Sequence, residues 1–152
     1  MNNLLVYYSA TGNGDAIAKY LKERGCPSLK LELKKPIGKV GFFKMFHYGY
    51  RAIKEAPEEL APYEFDSSKL DTLYLASPIW GGRISTPLLA FLKAHPEIKN
   101  QVKVVFLSSM SGKLKKAPEQ IKRYLPLASI VNLESPLSDL DETKRKIDQA
   151  IK

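Results

Sequence analysis

A chain of 152 residues amounts to about one domain and can bury most of the surface its unfolded form exposes. Hydrophobic residues make up 44% and charged residues 26%, the balance of an ordinary globular protein, and no apolar run approaches the roughly 20 residues of a membrane span. The net charge of +8 favours acidic ligands or partners, and a single cysteine excludes an internal disulfide.

The first residues, MNNLLVYYS, carry neither the basic region nor the cleavage site of a signal peptide, and Cys26 has no CxxC partner. Both observations point to a reducing cytoplasm and a structural thiol. The two histidines, the cysteine and the scattered carboxylates show no metal-ligand spacing, so no metal is expected.

In chain order, the apolar run Asn3–Tyr8 predicts a strand covered on both faces, and Asn13–Arg24, stopped by Gly25, predicts the first helix. A second strand is expected at Leu29–Leu33 and a second helix at roughly Gly41–Glu55. The third strand, Leu70–Ala76, leads to a helix at Pro87–Ala94 that ends before Pro96. The fourth, Val102–Ser108, precedes a helix at Pro118–Leu125, and the fifth, Ser129–Leu133, precedes a helix at Asp139–Ile151. Ser138 is the expected cap of that last helix, with Leu140, Thr143, Ile147 and Ile151 along one face. Five strands alternating with five helices predict one α/β domain over residues 1–152, a doubly wound parallel sheet with helices on both faces. Ligands of such folds sit beyond the carboxyl ends of the strands, where the strand order reverses. Functional residues are therefore expected just after strands one, three and four.

The stretch after the first strand, Ser9-Ala10-Thr11-Gly12-Asn13-Gly14, runs through small and hydroxyl residues into a helix. The first N–H groups of a helix lack intrahelical partners and sit in the positive end of its dipole. A turn of small residues lets a phosphate approach those donors. No lysine or arginine lies between Leu4 and Ala18, and Asp15 follows the second glycine where a nucleotide P-loop has lysine, so the backbone must carry the binding. Ser9–Gly14 closely resembles the FMN-phosphate loop of flavodoxins, which likewise follows the first strand.

The third strand runs out into Ser77-Pro78-Ile79-Trp80-Gly81-Gly82-Arg83. A tryptophan beside a ligand crevice offers a flat face for ring stacking, and the glycines after it allow a close backbone approach. The second flavin loop of flavodoxins often carries an aromatic residue followed by glycine at this place. The resemblance implies that Trp80 packs on the isoalloxazine, and that a peptide near Gly81 turns to accept a hydrogen bond from flavin N5 on reduction. The fourth strand ends in Ser108-Ser109-Met110-Ser111-Gly112, whose small residues suit the pyrimidine edge of the ring. Many flavodoxins place a tyrosine here to cover the second flavin face; this chain has Met110. Two readings of Met110 stand side by side: a gap-filler, as methionine often is, or an open face that admits a nicotinamide or quinone.

Charge is the second departure, because flavodoxins are usually acidic. Residues 34–54 hold six Lys or Arg and no acid, residues 55–66 hold five acids and no base, and Lys113, Lys115, Lys116, Lys122 and Arg123 form another basic group. Within 41–51, aromatics interleave with bases as in single-strand nucleic-acid sites. Yet Phe42, Phe46, Tyr50 and Ile53 recur at the spacing of one helical face, so core packing of the second helix is expected and nucleic acid is not. Phe43 and Tyr48 fall off that stripe and are expected to be exposed beside the site or at a partner surface, His47 reads as a packing residue, and His95 as a helix end.

Two other families of this fold fail on their motifs. A receiver domain needs an acid cluster after strand one and an Asp after strand three, and a low-molecular-weight phosphatase needs a cysteine and arginine in the first loop. The resemblance to flavodoxins spans essentially the whole chain and implies strand order 2-1-3-4-5. It also implies FMN held non-covalently by Ser9–Gly14, Ser77–Gly82, Ser108, Ser109, Met110 and Gly112, with no side chain in acid–base catalysis. The expected function is electron transfer between redox partner proteins, acidic ones given the basic charge. The alternative is an NAD(P)H-dependent reductase of quinones or flavins.

Overall fold

The computed structural model of the chain describes residues 2–36 and 42–152. Five parallel strands form its centre: β1 (Asn3–Tyr7), β2 (Ser28–Lys30), β3 (Thr72–Trp80), β5 (Val102–Ser109) and β6 (Ser129–Glu134). A sixth, the two-residue β4 (Arg83–Ile84), pairs antiparallel with the end of β3, and the main path runs β2-β1-β3-β5-β6. The sheet thus has six strands where five were expected, while its parallel members follow the expected order.

The parallel strands are apolar throughout because both faces are covered. Side chains alternate: Val6, Leu73, Leu75, Val105 and Leu107 enter one cluster, Leu5, Tyr74, Ala76, Val104 and Phe106 the other. Helices α3 (Thr86–Ala94) and α4 (Ala117–Tyr124) close the first face with Leu88, Phe91 and Ile121. Helices α1 (Asn13–Glu23) and α5 (Leu140–Ile151) close the second with Ile17, Leu21 and Ile147. Cys26 is buried in this second cluster as a free thiol, and burial pushes its pKa up.

Three local differences from the sequence reading have physical causes. The third strand continues through Ser77–Trp80, read above as loop, because Gly81 and Gly82 both take positive φ (56° and 77°), as a two-residue hairpin turn requires. The second strand stops at Lys30, and Leu33 instead makes an isolated antiparallel bridge to Leu60. Helix α5 is capped by Asp139, whose Oδ1 accepts the Glu142 amide at 3.1 Å, rather than by Ser138. Of its predicted face Thr143 and Ile147 are buried, but Leu140 is exposed.

The largest correction concerns α2 (Phe42–Ile53). Gly41 and the side chain of Phe42 lie outside the described residues. The remaining predicted core stripe faces outward: Phe46 is 66% exposed, Tyr50 57% and Ile53 47%. His47 is exposed as well. The helix instead turns Ala52, 1% exposed, and half-buried Tyr48 toward the sheet. Its approach is set at Gly49, which lies against Gly81: a Cβ on Gly81 would stand 2.5 Å from the Gly49 carbonyl oxygen. Periodicity identified an apolar face on this helix but not the direction in which it points.

Candidate functional site

At the carboxyl edge of the sheet, Tyr7 is paired with Ala76, and Pro78 with Ser108, so the three predicted segments meet where strand order reverses between β1 and β3. In the first segment, Ser9 Oγ accepts the amides of Gly12 at 3.1 Å and Asp15 at 3.4 Å and so folds the turn onto the start of α1. Gly12 precedes the helix with φ 97°, a left-handed position with no side-chain cap bond. Gly14 is required by contact: a Cβ there would lie 2.9 Å from both Ser9 Cβ and the Tyr8 carbonyl oxygen. Ala10 is half-buried and Thr11 exposed at the turn's tip. Asn13 Oδ1 accepts the Leu137 amide at 3.3 Å, tying the segment after β6 to the turn.

Asp15, the acid nearest this turn, is held by two groups. It accepts the Tyr7 hydroxyl at 2.9 Å and pairs with Lys30 Nζ at 3.0 Å. Burial, then the bond to Asp15, raises the Tyr7 pKa and keeps the phenol protonated.

The second segment is a braced hairpin. Buried Ser77 Oγ accepts the Ser85 amide at 3.0 Å, lies 2.8 Å from Ser85 Oγ and donates to the Pro78 carbonyl at 2.8 Å. Behind it, buried Gln120 accepts the Ile84 amide at 2.9 Å and donates to Glu55 at 3.1 Å. Ile79 pairs with Ile84 and Trp80 with Arg83. Trp80 is half-buried, edge-on to Tyr8 (centroids 5.5 Å apart, 86°) and tilted against Tyr48 (5.4 Å, 47°). Burial, then the Glu32 charge, pushes the Tyr8 pKa up to about 12. The room left by Gly81 and Gly82 is filled by the chain's own atoms, Gly49 and Ile53 on one side and Lys115 on the other. Arg83 Nη1 donates to the Gly81 carbonyl at 3.3 Å.

In the third segment Ser108 and Ser109 belong to β5 and are buried, while Met110 is 79% exposed and so fills no gap. Ser109 Oγ and Asn132 Oδ1 are buried without a hydrogen-bond partner. Gly112 has φ 71°, with its carbonyl accepting from Asn132 Nδ2 at 2.6 Å and Glu134 filling the place of a Cβ.

Tyr48, expected exposed beside the site, is instead half-buried against Trp80; sequence reasoning missed Tyr8 as the other support of Trp80, Ser85 and Gln120 as the braces of the hairpin, and Asn132 and Leu137 at the rims. Tyr48, Gln120, Asn132 and Leu137 carry no local signal, because elements distant in the chain bring them in, and Tyr8 and Ser85, though beside the predicted segments, show their roles only once the hairpin closes. His95 sits apart, at the end of α3, 2.7 Å from the Tyr63 hydroxyl and 3.0 Å from Glu97. Among the described residues no three His, Cys, Asp or Glu are grouped to hold a metal, and no helix is long and apolar enough to cross a membrane.

No family model matches the sequence, and no curated protein does. Solved structures do. A flavoprotein from Lactobacillus acidophilus, determined in complex with FMN, superposes with TM-score 0.70 at 18% identity over 93% of this chain and 97% of its own. A protein from Bacteroides eggerthii assigned as a flavoprotein gives 0.76 at 16% identity over 99% and 98%. A WrbA-like flavodoxin from Agrobacterium tumefaciens gives 0.55 at 14% identity over 98% and 92%. With parallel strands in this order, a hydroxyl- and glycine-rich turn opening α1, and these neighbours, the chain has the flavodoxin-like fold.

Proposed function

We propose that the chain binds FMN at the carboxyl edge of its sheet and carries electrons between redox partner proteins. The observation that supports this most is the convergence of three segments at the point of strand reversal, one of them the Ser9–Gly14 turn at the start of α1. The residues fit the cofactor. Gly12 is left-handed and brings no side chain of its own to the start of α1, where Ser9 Oγ takes the Asp15 amide, which suits a phosphate on the neighbouring amides, and Ser109 Oγ is a buried polar atom without a partner at the third segment. A similar fold in a flavoprotein–FMN complex adds support.

In this reading Ser9 shapes the phosphate turn by holding the Gly12 amide, the amides of Ala10, Thr11, Asn13 and Gly14 bind, and Trp80 flanks the ring from its seat on Tyr8 and Tyr48. Ser77, Pro78, Ile79, Gly81 and Gly82 hold that hairpin in place, and Ser108, Ser109, Met110 and Gly112 line the ring's polar edge. When bound, FMN supplies the redox chemistry. No side chain of the chain is assigned a proton-transfer role. The +8 charge suits acidic partner proteins.

A second reading, an NAD(P)H-dependent quinone or flavin reductase, is favoured by one observation: Met110 is exposed where a covering aromatic is absent. The test is to load the protein with FMN, desalt it and record its spectrum, then add NADH and NADPH without oxygen. Retained flavin bands that survive both nucleotides support the carrier; rapid bleaching supports the reductase. A colourless protein after desalting overturns both.

A further inference from the structure

The Ser9–Gly14 turn brings no cation of its own, and the first charge after it is negative. Asp15 lies in the first turn of α1, where a carboxylate is drawn to the positive end of the helix and competes for it with any other anion. Its amide is accepted by Ser9 Oγ at 3.4 Å, so the residue that carries this charge is joined to the turn itself. Left unbalanced, the carboxylate would repel the phosphate that the FMN reading places on the neighbouring amides.

The sheet brings a cation to this acid from another element. In the parallel pairing of β1 with β2, Lys30 stands opposite Tyr7. Both side chains reach the same oxygen, Asp15 Oδ1: the Tyr7 hydroxyl donates at 2.9 Å, and Lys30 Nζ lies at 3.0 Å. Lys30 Nζ is 3.9 Å from Glu32, so Asp15 is the nearer of its two acids. Burial keeps the Tyr7 phenol protonated, which makes it a neutral donor and leaves the charge balance to Lys30. Lys30, Asp15 and Ser9 thus form a chain of contacts from the β2 edge to the phosphate turn.

From this arrangement we infer that Lys30 is a positioning residue for phosphate recognition. Acting through Asp15, it supplies the positive charge that the turn lacks and sets the preference of the site for a phosphorylated flavin over the same ring and sugar chain without phosphate. This assignment rests on the FMN reading. Its sign follows from charge: a phosphate monoester carries close to two negative charges at neutral pH, and riboflavin carries none. Its size is limited by solvent, because the Lys30 and Asp15 side chains are both partly exposed and salt screens them.

The test compares the dissociation constants of FMN and riboflavin, measured by equilibrium dialysis against the whole protein at low ionic strength. Lys30→Met should lower the preference for FMN about fivefold by weakening FMN alone, and Lys30→Arg should keep it within about twofold of the parent. Lys30→Met combined with Asp15→Asn should restore the parent preference to within about twofold, because no carboxylate is then left to balance. An unchanged preference in Lys30→Met, with FMN still bound, overturns the inference and leaves the FMN reading standing. Equal losses of FMN and riboflavin also overturn it, since the ion pair then only braces the fold. So does a double variant as poor as Lys30→Met, because Lys30 would then act without Asp15. A parent protein that binds neither flavin overturns the FMN reading itself, and the inference falls with it.

Discussion

Replacing Gly14 with alanine tests the reasoning about the first turn most directly. The new Cβ would stand 2.9 Å from Ser9 Cβ, 2.9 Å from the Tyr8 carbonyl oxygen and 3.0 Å from Tyr7 Cδ2. None of these is the free end of a flexible chain: Ser9 and Tyr8 are the turn itself, and Tyr7 is fixed by its bond to Asp15. Overpacking at a closed site costs about 1–3 kcal/mol. Moving Ser9 aside stretches its bonds to the Gly12 and Asp15 amides and costs about 1 kcal/mol more. Alanine's better helix propensity returns up to about 1 kcal/mol. The net expectation is a loss of about 1–3 kcal/mol, read as a lowered urea midpoint at unchanged slope. FMN retention should fall with it, because the same turn presents the amides proposed to bind its phosphate. A variant as stable as the parent would refute the argument, showing that helix and turn separate at little cost.

Gln120→Leu strands the buried Ile84 amide that Gln120 accepts at 2.9 Å, and should cost about 1–3 kcal/mol in chemical denaturation. Gly25→Ala isolates backbone strain: φ is 82° and nothing lies within 4 Å of the added Cβ, so a loss of about 1 kcal/mol is expected, and less for Gly25→Asn. An unchanged midpoint in Gly25→Ala would remove the left-handed helix ending from the account. Tyr8 is an acid whose folded pKa, about 12, is raised above its ordinary value of roughly 10 by burial and then by Glu32. Its neutral form is bound more tightly in the folded state, so its contribution is complete below about pH 10 and is lost as pH rises toward 12. Tyr8→Phe should flatten that alkaline decline in denaturation midpoints; an equally steep decline would refute the assignment.

The sequence by itself determined the layers and which strand ends the candidate site was expected to follow. Short apolar runs such as Leu4–Tyr7 and Val104–Leu107 suit strands covered on both faces, and their alternation with amphipathic helices points to a parallel sheet whose ligand edge is expected after strands one, three and four. The Ser9–Gly14 turn was legible for the same reason: its small residues and the helix after it are neighbours in the chain, and Gly12 and Gly14 are demanded by local geometry. Tertiary structure alone decided what depends on elements meeting. It extended β3 to Trp80 through the β4 hairpin, brought Ser85 and Gln120 in as braces, and seated Trp80 on Tyr8 and Tyr48 from two other elements. It also decided the direction of α2. Helical periodicity defines an apolar face, but tertiary packing decided which side meets the sheet: Tyr48 and Ala52 turn inward and Phe46 and Tyr50 outward, while Gly49 and Ile53 lie against Gly81, which is distant in the chain.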